Sequence, residues 1–248
     1  MQKLARFVVA LAALGLVLVF SGAARADGDA MLANVDKALN GWKTLDFHYK
    51  VTTKSGTTTT ILKLRSRLHN KGSYNKQFID ISEPADMAGT KVLTKTPEKM
   101  YIYLPAFKKI RRIASHVNEQ GFLGTALSSK DLNLTHYGNL FSAAVVSEND
   151  KEVELKLTGK GDSAPYPRID MKIDKSKWVP TEIKYFGAED KHLKTETRSD
   201  YACENDYCVP KTMEMTDHTK SISSTLKLTS HKINPELESG LFSKRNLK

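Results

Sequence analysis

Short runs along this chain alternate apolar and polar residues with a period of two, and that alternation limits the fold more than any other feature. Leu45, Phe47, Tyr49 and Val51 are interleaved with Asp46, His48 and Lys50, and Leu62, Leu64 and Leu68 with Lys63, Arg65 and Arg67. Val153, Leu155 and Leu157 alternate with Glu152, Glu154 and Lys156, and Ile169, Met171 and Ile173 with Asp170 and Lys172. A period of two puts apolar side chains on one face of a strand and polar ones on the other. Further extended runs at 178–186, 193–201, 209–216 and 221–230 are separated by Gly, Asn, Asp or Pro. Strands spaced by roughly ten to fifteen residues, with little helical pattern between them, predict an antiparallel meander. Such a sheet has to curl on itself or be covered by helices to bury its apolar face. The expected helix lies over 29–45, its firm part 29–42, where Leu32, Val35, Leu39 and Trp42 recur at steps of three and four, with Asp27 or Asp29 as cap.

The first 26 residues read as a cleavable export signal. Lys3 and Arg6 precede an apolar run at 7–20, and Ala24-Arg25-Ala26 supplies a small-x-small cleavage site. That run is shorter than the roughly 20 residues a spanning helix needs. Residues 27–248 are expected to form one domain, because no linker or composition shift divides them. The formal charge of +10 falls to about +7 once Lys3, Arg6 and Arg25 are removed, which suits simple solubility or loose attraction to anionic surfaces. Cys203 and Cys208, separated by Glu-Asn-Asp-Tyr, are the chain's two cysteines. In an exported chain they are expected to form a structural disulfide across a hairpin loop.

Residues 83–113 join a Gly turn, two extended runs, aromatics and a basic run. Met100, Ile102 and Leu104 fall on one face of a strand, and Tyr101 and Tyr103 on the other. A strand apolar on both faces is either covered twice or lines an apolar space. Phe47, Tyr49, Leu62, Leu64, Tyr101, Tyr103, Phe122 and Leu123 are therefore candidates for a cavity wall, with plain core as the alternative. The irregular stretch 115–134 is either a plug packed into the sheet's concavity or a mobile lid. Lys108, Lys109, Arg111 and Arg112 are either a solvated strand end or a contact for phosphate headgroups or an acidic partner. Nucleic acid is not expected as a partner, since no aromatic stacking platform is interleaved with the run. The seven histidines show no metal-ligand spacing, no cofactor is implied, and nucleophile-elbow and phosphate-loop motifs are missing, so no enzyme is expected.

The segments Glu83-Pro84-Ala85-Asp86, Gly89-Thr90, Met100 to Phe107 and Ile110-Arg111-Arg112-Ile113 resemble the LolA-like periplasmic outer-membrane lipoprotein-sorting family. Gly121-Phe122-Leu123-Gly124-Thr125, Asp131-Leu132, Ile233-Asn234-Pro235 and Leu241-Phe242-Ser243 extend the resemblance. It implies a mainly β (α+β) fold: a half-open antiparallel β-barrel closed by helices and a loop lid, LolA/LolB-like, with an apolar cavity for lipid or lipoprotein acyl chains. It implies a periplasmic carrier without catalysis, served by an inner-membrane exporter of the large lipid-exporting class and an outer-membrane acceptor. The alternative role is a lipid-responsive sensor or an accessory subunit of such an exporter.

Overall fold

The computed structural model describes the backbone of residues 21–113, 121–205 and 207–248, and the side chains from Asp27 onward. The expected signal run 7–20, with Lys3 and Arg6, lies outside the described residues. Helix α1 (Ser21–Asn40) leads into β1 (Thr44–Ser55), β2 (Thr58–Asn70), β3 (Asn75–Glu83), β4 (Lys91–Thr96), β5 (Lys99–Leu104) and β6 (Lys109–Ile113). After the short helices α2 (Ser129–Asn133) and α3 (Tyr137–Leu140) come β7 (Phe141–Glu148), β8 (Glu152–Gly159), β9 (Arg168–Asp174) and β10 (Val179–Phe186). The chain continues through β11 (His192–Glu204), β12 (Tyr207–Asp217) and β13 (Ile222–Ile233).

One antiparallel sheet of 13 strands contains them all, in the order β6-β5-β4-β3-β2-β1-β13-β12-β11-β10-β9-β8-β7. Strands adjacent in sequence pair throughout, except that β6 and β7 form the two edges, and β1 pairs with β13. The first and last strands therefore meet mid-sheet, with Leu45 opposite Ile233. The sheet is not closed. Between its edges the chain passes through the irregular stretch that ends in α2 and α3.

The period-two pattern explains the inner face. Val51, Leu62, Ile79, Ile81, Val92 and Met100 from one half of the sheet join Leu155, Leu157, Ile169, Met171, Ile173 and Ile183 from the other. Leu32 and Val35 of α1 complete the same buried cluster. Strand β5 is covered twice. Met100 and Ile102 face this core, while Tyr101 and Tyr103 pack with Phe78, Leu93, Leu241 and Leu247 on the opposite face. The C-terminal segment thus buries the second apolar face of β5, which no neighbouring strand covers.

Two expectations about the helix are corrected by the structure, and one open alternative is decided. The helix ends at Asn40 rather than Trp42 or Leu45, because Thr44 and Leu45 are already paired with β2. Nor does Asp29 cap a helix start, since α1 begins at Ser21; its carboxylate accepts from the backbone N–H of Ala143 at 2.6 Å and ties α1 to β7. Close contact is obligatory there: a Cβ on Gly28 would stand 2.5 Å from the Ala143 carbonyl oxygen. Finally, the described part of the irregular stretch packs as a plug. Phe122, Ala126, Leu127 and Leu134 are buried in the main core, and the Ala126 N–H donates to Ser224 Oγ at 2.9 Å.

The disulfide is present. Cys203 and Cys208 lie opposite each other in the β11–β12 hairpin and are bonded.

Candidate functional site

A groove of about 190 Å³ opens on the inner face of the sheet. Leu39 and Trp42 form one wall, where α1 gives way to β1. The sheet contributes Phe47, Tyr49, Leu68, Tyr207, Val209, Met213 and Leu226, and the plug contributes Leu127, Leu132, Leu134 and Tyr137. Phe47 is buried with Trp42, Leu45, Tyr207 and Val209, and the Phe47 and Tyr49 rings meet edge to face at 5.8 Å. This wall is aromatic and aliphatic, as apolar ligand sites are.

Charge lies along one side of the groove. On β11, Lys194, Glu196 and Arg198 occupy alternate positions and point inward, although three charged residues at this spacing would ordinarily face water. Each cation has a buried partner. Lys194 Nζ donates to Asp131 Oδ2 at 2.5 Å, with side-chain exposures of 8% and 1%. Arg198 Nε donates to Glu196 Oε1 at 2.6 Å and Nη2 to the Tyr137 hydroxyl at 3.2 Å. The Tyr185 hydroxyl donates to Glu196 Oε2 at 2.5 Å, and the Tyr166 hydroxyl donates to Asp131 Oδ1. Asp131 also closes a capping box with Ser128 at the start of α2, accepting from the Ser128 N–H at 2.6 Å.

A lone ion buried here would be costly, and these pairs remove most of that cost. Burial works against the Arg198 charge, yet Glu196 and the surrounding phenols hold the guanidinium protonated well above its ordinary range. Burial likewise pushes the Tyr137 phenol up to about 12, and raises those of Tyr49, Tyr166, Tyr185, Tyr201 and Tyr207. The tyrosines therefore remain neutral hydrogen-bond donors throughout the physiological range. Asp36 of α1 holds the plug from its other end, accepting from the Tyr137 and Gly138 N–H groups at 2.8 and 2.7 Å.

A larger concavity of about 440 Å³ is lined by Tyr49 and Leu64 together with polar and charged side chains, among them His48, Lys50, Lys63, Arg65, Arg67 and Asp80. Three of its cations are engaged by acids: Arg65 with Asp46, Arg67 with Asp80, and Lys63 with Glu83. Register shifts at His48/Tyr49 and Lys63/Leu64 bend the two strands beside it. With Tyr49 and Leu64 as its apolar residues and charged groups around the rest, it is a weaker candidate for an apolar ligand than the groove, despite its size.

Of the residues expected to line a cavity, Phe47 and Tyr49 line the groove, and Tyr49 and Leu64 line the larger concavity. Leu62, Leu64, Phe122 and Leu123 belong to or pack against the main core beside the groove. Tyr101 and Tyr103 are separated from it by the sheet itself and contact the C-terminal segment, with Lys244 Nζ 3.9 Å from the Tyr101 ring centre. Lys108, Lys109, Arg111 and Arg112 are exposed on or beside edge strand β6, with Arg111 over the Phe107 ring at 5.9 Å. Sequence reasoning missed Asp131, Lys194, Glu196, Arg198 and Tyr207. The usable signal was the charged row on a strand crossing the middle of the sheet.

The fold has solved relatives. An outer membrane lipoprotein-sorting protein domain from Vibrio parahaemolyticus superposes with a TM-score of 0.81 at 21% identity, covering 90% of this chain and 99% of that one. A DUF1329 family protein from Desulfovibrio piger gives 0.83 at 17% identity, with 91% and 99% covered. A LolA superfamily protein from Nitrosomonas europaea gives 0.71 at 17% identity, with 88% and 98% covered. A search of the curated proteins found no significant match. A family model described as "-like: Uncharacterized protein" matches residues 73–248. With more than half of its length matched, the chain belongs to that family of uncharacterized proteins, and its fold is that of the LolA-like lipoprotein-sorting proteins.

Proposed function

We propose that this protein is a non-catalytic periplasmic carrier that shields lipid or lipoprotein acyl chains in the inner-face groove on their way to the outer membrane. In this reading residues 1–26 are a cleaved signal and residues 27–248 a single carrier domain. The observation that carries it is the groove itself: an apolar wall of sheet and helix residues on one side, and on the other a plug held by discrete contacts. Each CH₂ withdrawn from water gains about 0.8 kcal/mol, so an acyl chain is retained without covalent chemistry. At about 190 Å³ the groove is smaller than the roughly 300–1,000 Å³ typical of drug-sized ligands, so a whole chain enters as Leu127, Leu132 and Leu134 yield. The exposed cations Lys108, Lys109, Arg111 and Arg112, beside the 61% exposed Phe107, are the surface for anionic headgroups, the exporter or the acceptor.

Native mass spectrometry of the protein isolated from its own periplasm tests this reading. The expected spectrum contains a lipid adduct, and Met213→Trp, which fills the groove, depletes it. Adduct-free protein, together with failure to take acyl chains from vesicles, would refute the carrier role.

A further inference from the structure

The outer face of the sheet carries charge that an acyl groove does not need. Val51, Leu62 and Leu226 turn into the core, so their sequence neighbours Lys50, Lys63 and Lys227 share the opposite, exposed face. Register sets these three lysines side by side: Lys50 on β1 stands directly opposite Lys227 on β13 and opposite Lys63 on β2. Residues paired in this way hold their Cβ atoms about 4.5–5.5 Å apart, and like charges there work against the sheet. One acid meets the row. Glu83, opposite Lys63 on β3, accepts from its Nζ at 2.8 Å. Among the described residues, Lys50 and Lys227 have no ion-pair partner. The row also lies beside two bulges. Thr229 is an extra residue in β13 between the pairs His48–Ser230 and Tyr49–Leu228, and Ser82 is one in β3 between Lys63–Glu83 and Leu64–Ile81. Each bulge is fixed by its own hydroxyl: Thr229 Oγ1 donates to the His48 carbonyl at 3.0 Å, and Ser82 Oγ to the Lys63 carbonyl at 3.2 Å. Bulges bend a strand and re-aim its side chains, and both of these belong to the wall of the concavity of about 440 Å³.

We propose that this concavity binds the dianion of a phosphate monoester, held by Lys50, Lys63 and Lys227 on the face of the sheet turned away from the groove. Arg65 and Arg67 are already matched by Asp46 and Asp80, so the lysine row is where charge is left over. Two ammoniums without an acid match a phosphate monoester, which carries about −1.5 to −2 near pH 7. A carboxylate or a phosphodiester brings a single charge and leaves one ammonium unmatched. A soluble phosphomonoester and a lipid of the phosphatidate type present the same group. The site is separate from the groove, so its failure would leave the carrier reading where it stands.

Two assays on the mature protein at low ionic strength test the proposal: calorimetric titration with glycerol 3-phosphate, and flotation with phosphatidylcholine vesicles containing phosphatidic acid. Lys50→Gln is expected to weaken binding about fivefold or more, and Lys50→Gln with Lys227→Gln to abolish it. Lys177→Gln, which removes an exposed lysine from the β9–β10 turn, is expected to change nothing. Because it takes the middle charge out of the row, Lys50→Gln should also raise the Tm of the ligand-free protein, which at the same time establishes that the variant folds. Sensitivity to Lys50→Gln in the titration alone assigns a soluble ligand, in the vesicle assay alone a lipid headgroup, and in both the phosphate group itself. Binding in neither assay, equal losses for Lys50→Gln and Lys177→Gln, or acetate binding as tightly as glycerol 3-phosphate would overturn the proposal. A Tm lowered by Lys50→Gln would overturn its premise, and the proposal with it.

Discussion

Replacing Asp131 by Ala should detach the plug from the sheet, and the size of the effect follows from what this one carboxylate holds. With 1% of its side chain exposed, Asp131 accepts from Lys194 Nζ at 2.5 Å, from the Tyr166 hydroxyl, and from the Ser128 N–H at 2.6 Å. Removing it strands an ammonium whose side chain is 8% exposed. Breaking a buried ion pair by deleting one partner costs about 3–5 kcal/mol, and losing the N3 half of the capping box that Asp131 makes with the N-cap Ser128 about 1 kcal/mol more. In a protein of this size each kcal/mol moves Tm by about 2–4 °C, so the expected drop is roughly 8–24 °C. The informative control is the double variant Asp131→Ala with Lys194→Met. Removing both charges removes the uncompensated ion, so it should melt well above Asp131→Ala alone. Differential scanning calorimetry of the mature protein measures both. A loss below about 1 kcal/mol for Asp131→Ala, the scale of a surface pair, would refute the reasoning, because Lys194 would then have to reach water.

Two further outcomes follow from particular contacts. Cys203→Ala should lower stability by about 2–3 kcal/mol without abolishing folding, and thiol titration of the parent should find no free cysteine; titratable thiols in native material would contradict the bridge. The Asp46 carboxyl is held below its ordinary value of 3.8, mainly by the Arg65 guanidinium, which donates two hydrogen bonds at 2.9 and 2.6 Å. A depressed acid contributes stability that is present above the unfolded value and lost as pH falls through the folded one. Urea melts from neutral pH down to about 3 should therefore show a smaller acid-side loss in Asp46→Asn than in the parent. Parallel pH curves would show that the pair does not contribute.

The sequence by itself determined the class of fold. Alternation at Leu45–Val51, Leu62–Leu68 and Val153–Leu157 is set by local geometry, and it identified strands that the structure pairs as neighbours. The disulfide was legible for a similar reason, since two cysteines flanking a short turn are brought opposite each other by the hairpin alone. What the sequence left open was which side of each strand looks inward. Tyr101 and Tyr103 have the pattern of a cavity wall, but residues 237–247, more than a hundred positions away, cover that face. On β11 the outcome is reversed: a row such as Lys194, Glu196 and Arg198 would ordinarily be solvated, yet the plug, the β8–β9 loop and β10 supply Asp131, Tyr137, Tyr166 and Tyr185 to bury it. Period fixes which residues share a face. Only tertiary packing decides what that face meets, because burial and charge pairing depend on partners far away in the chain.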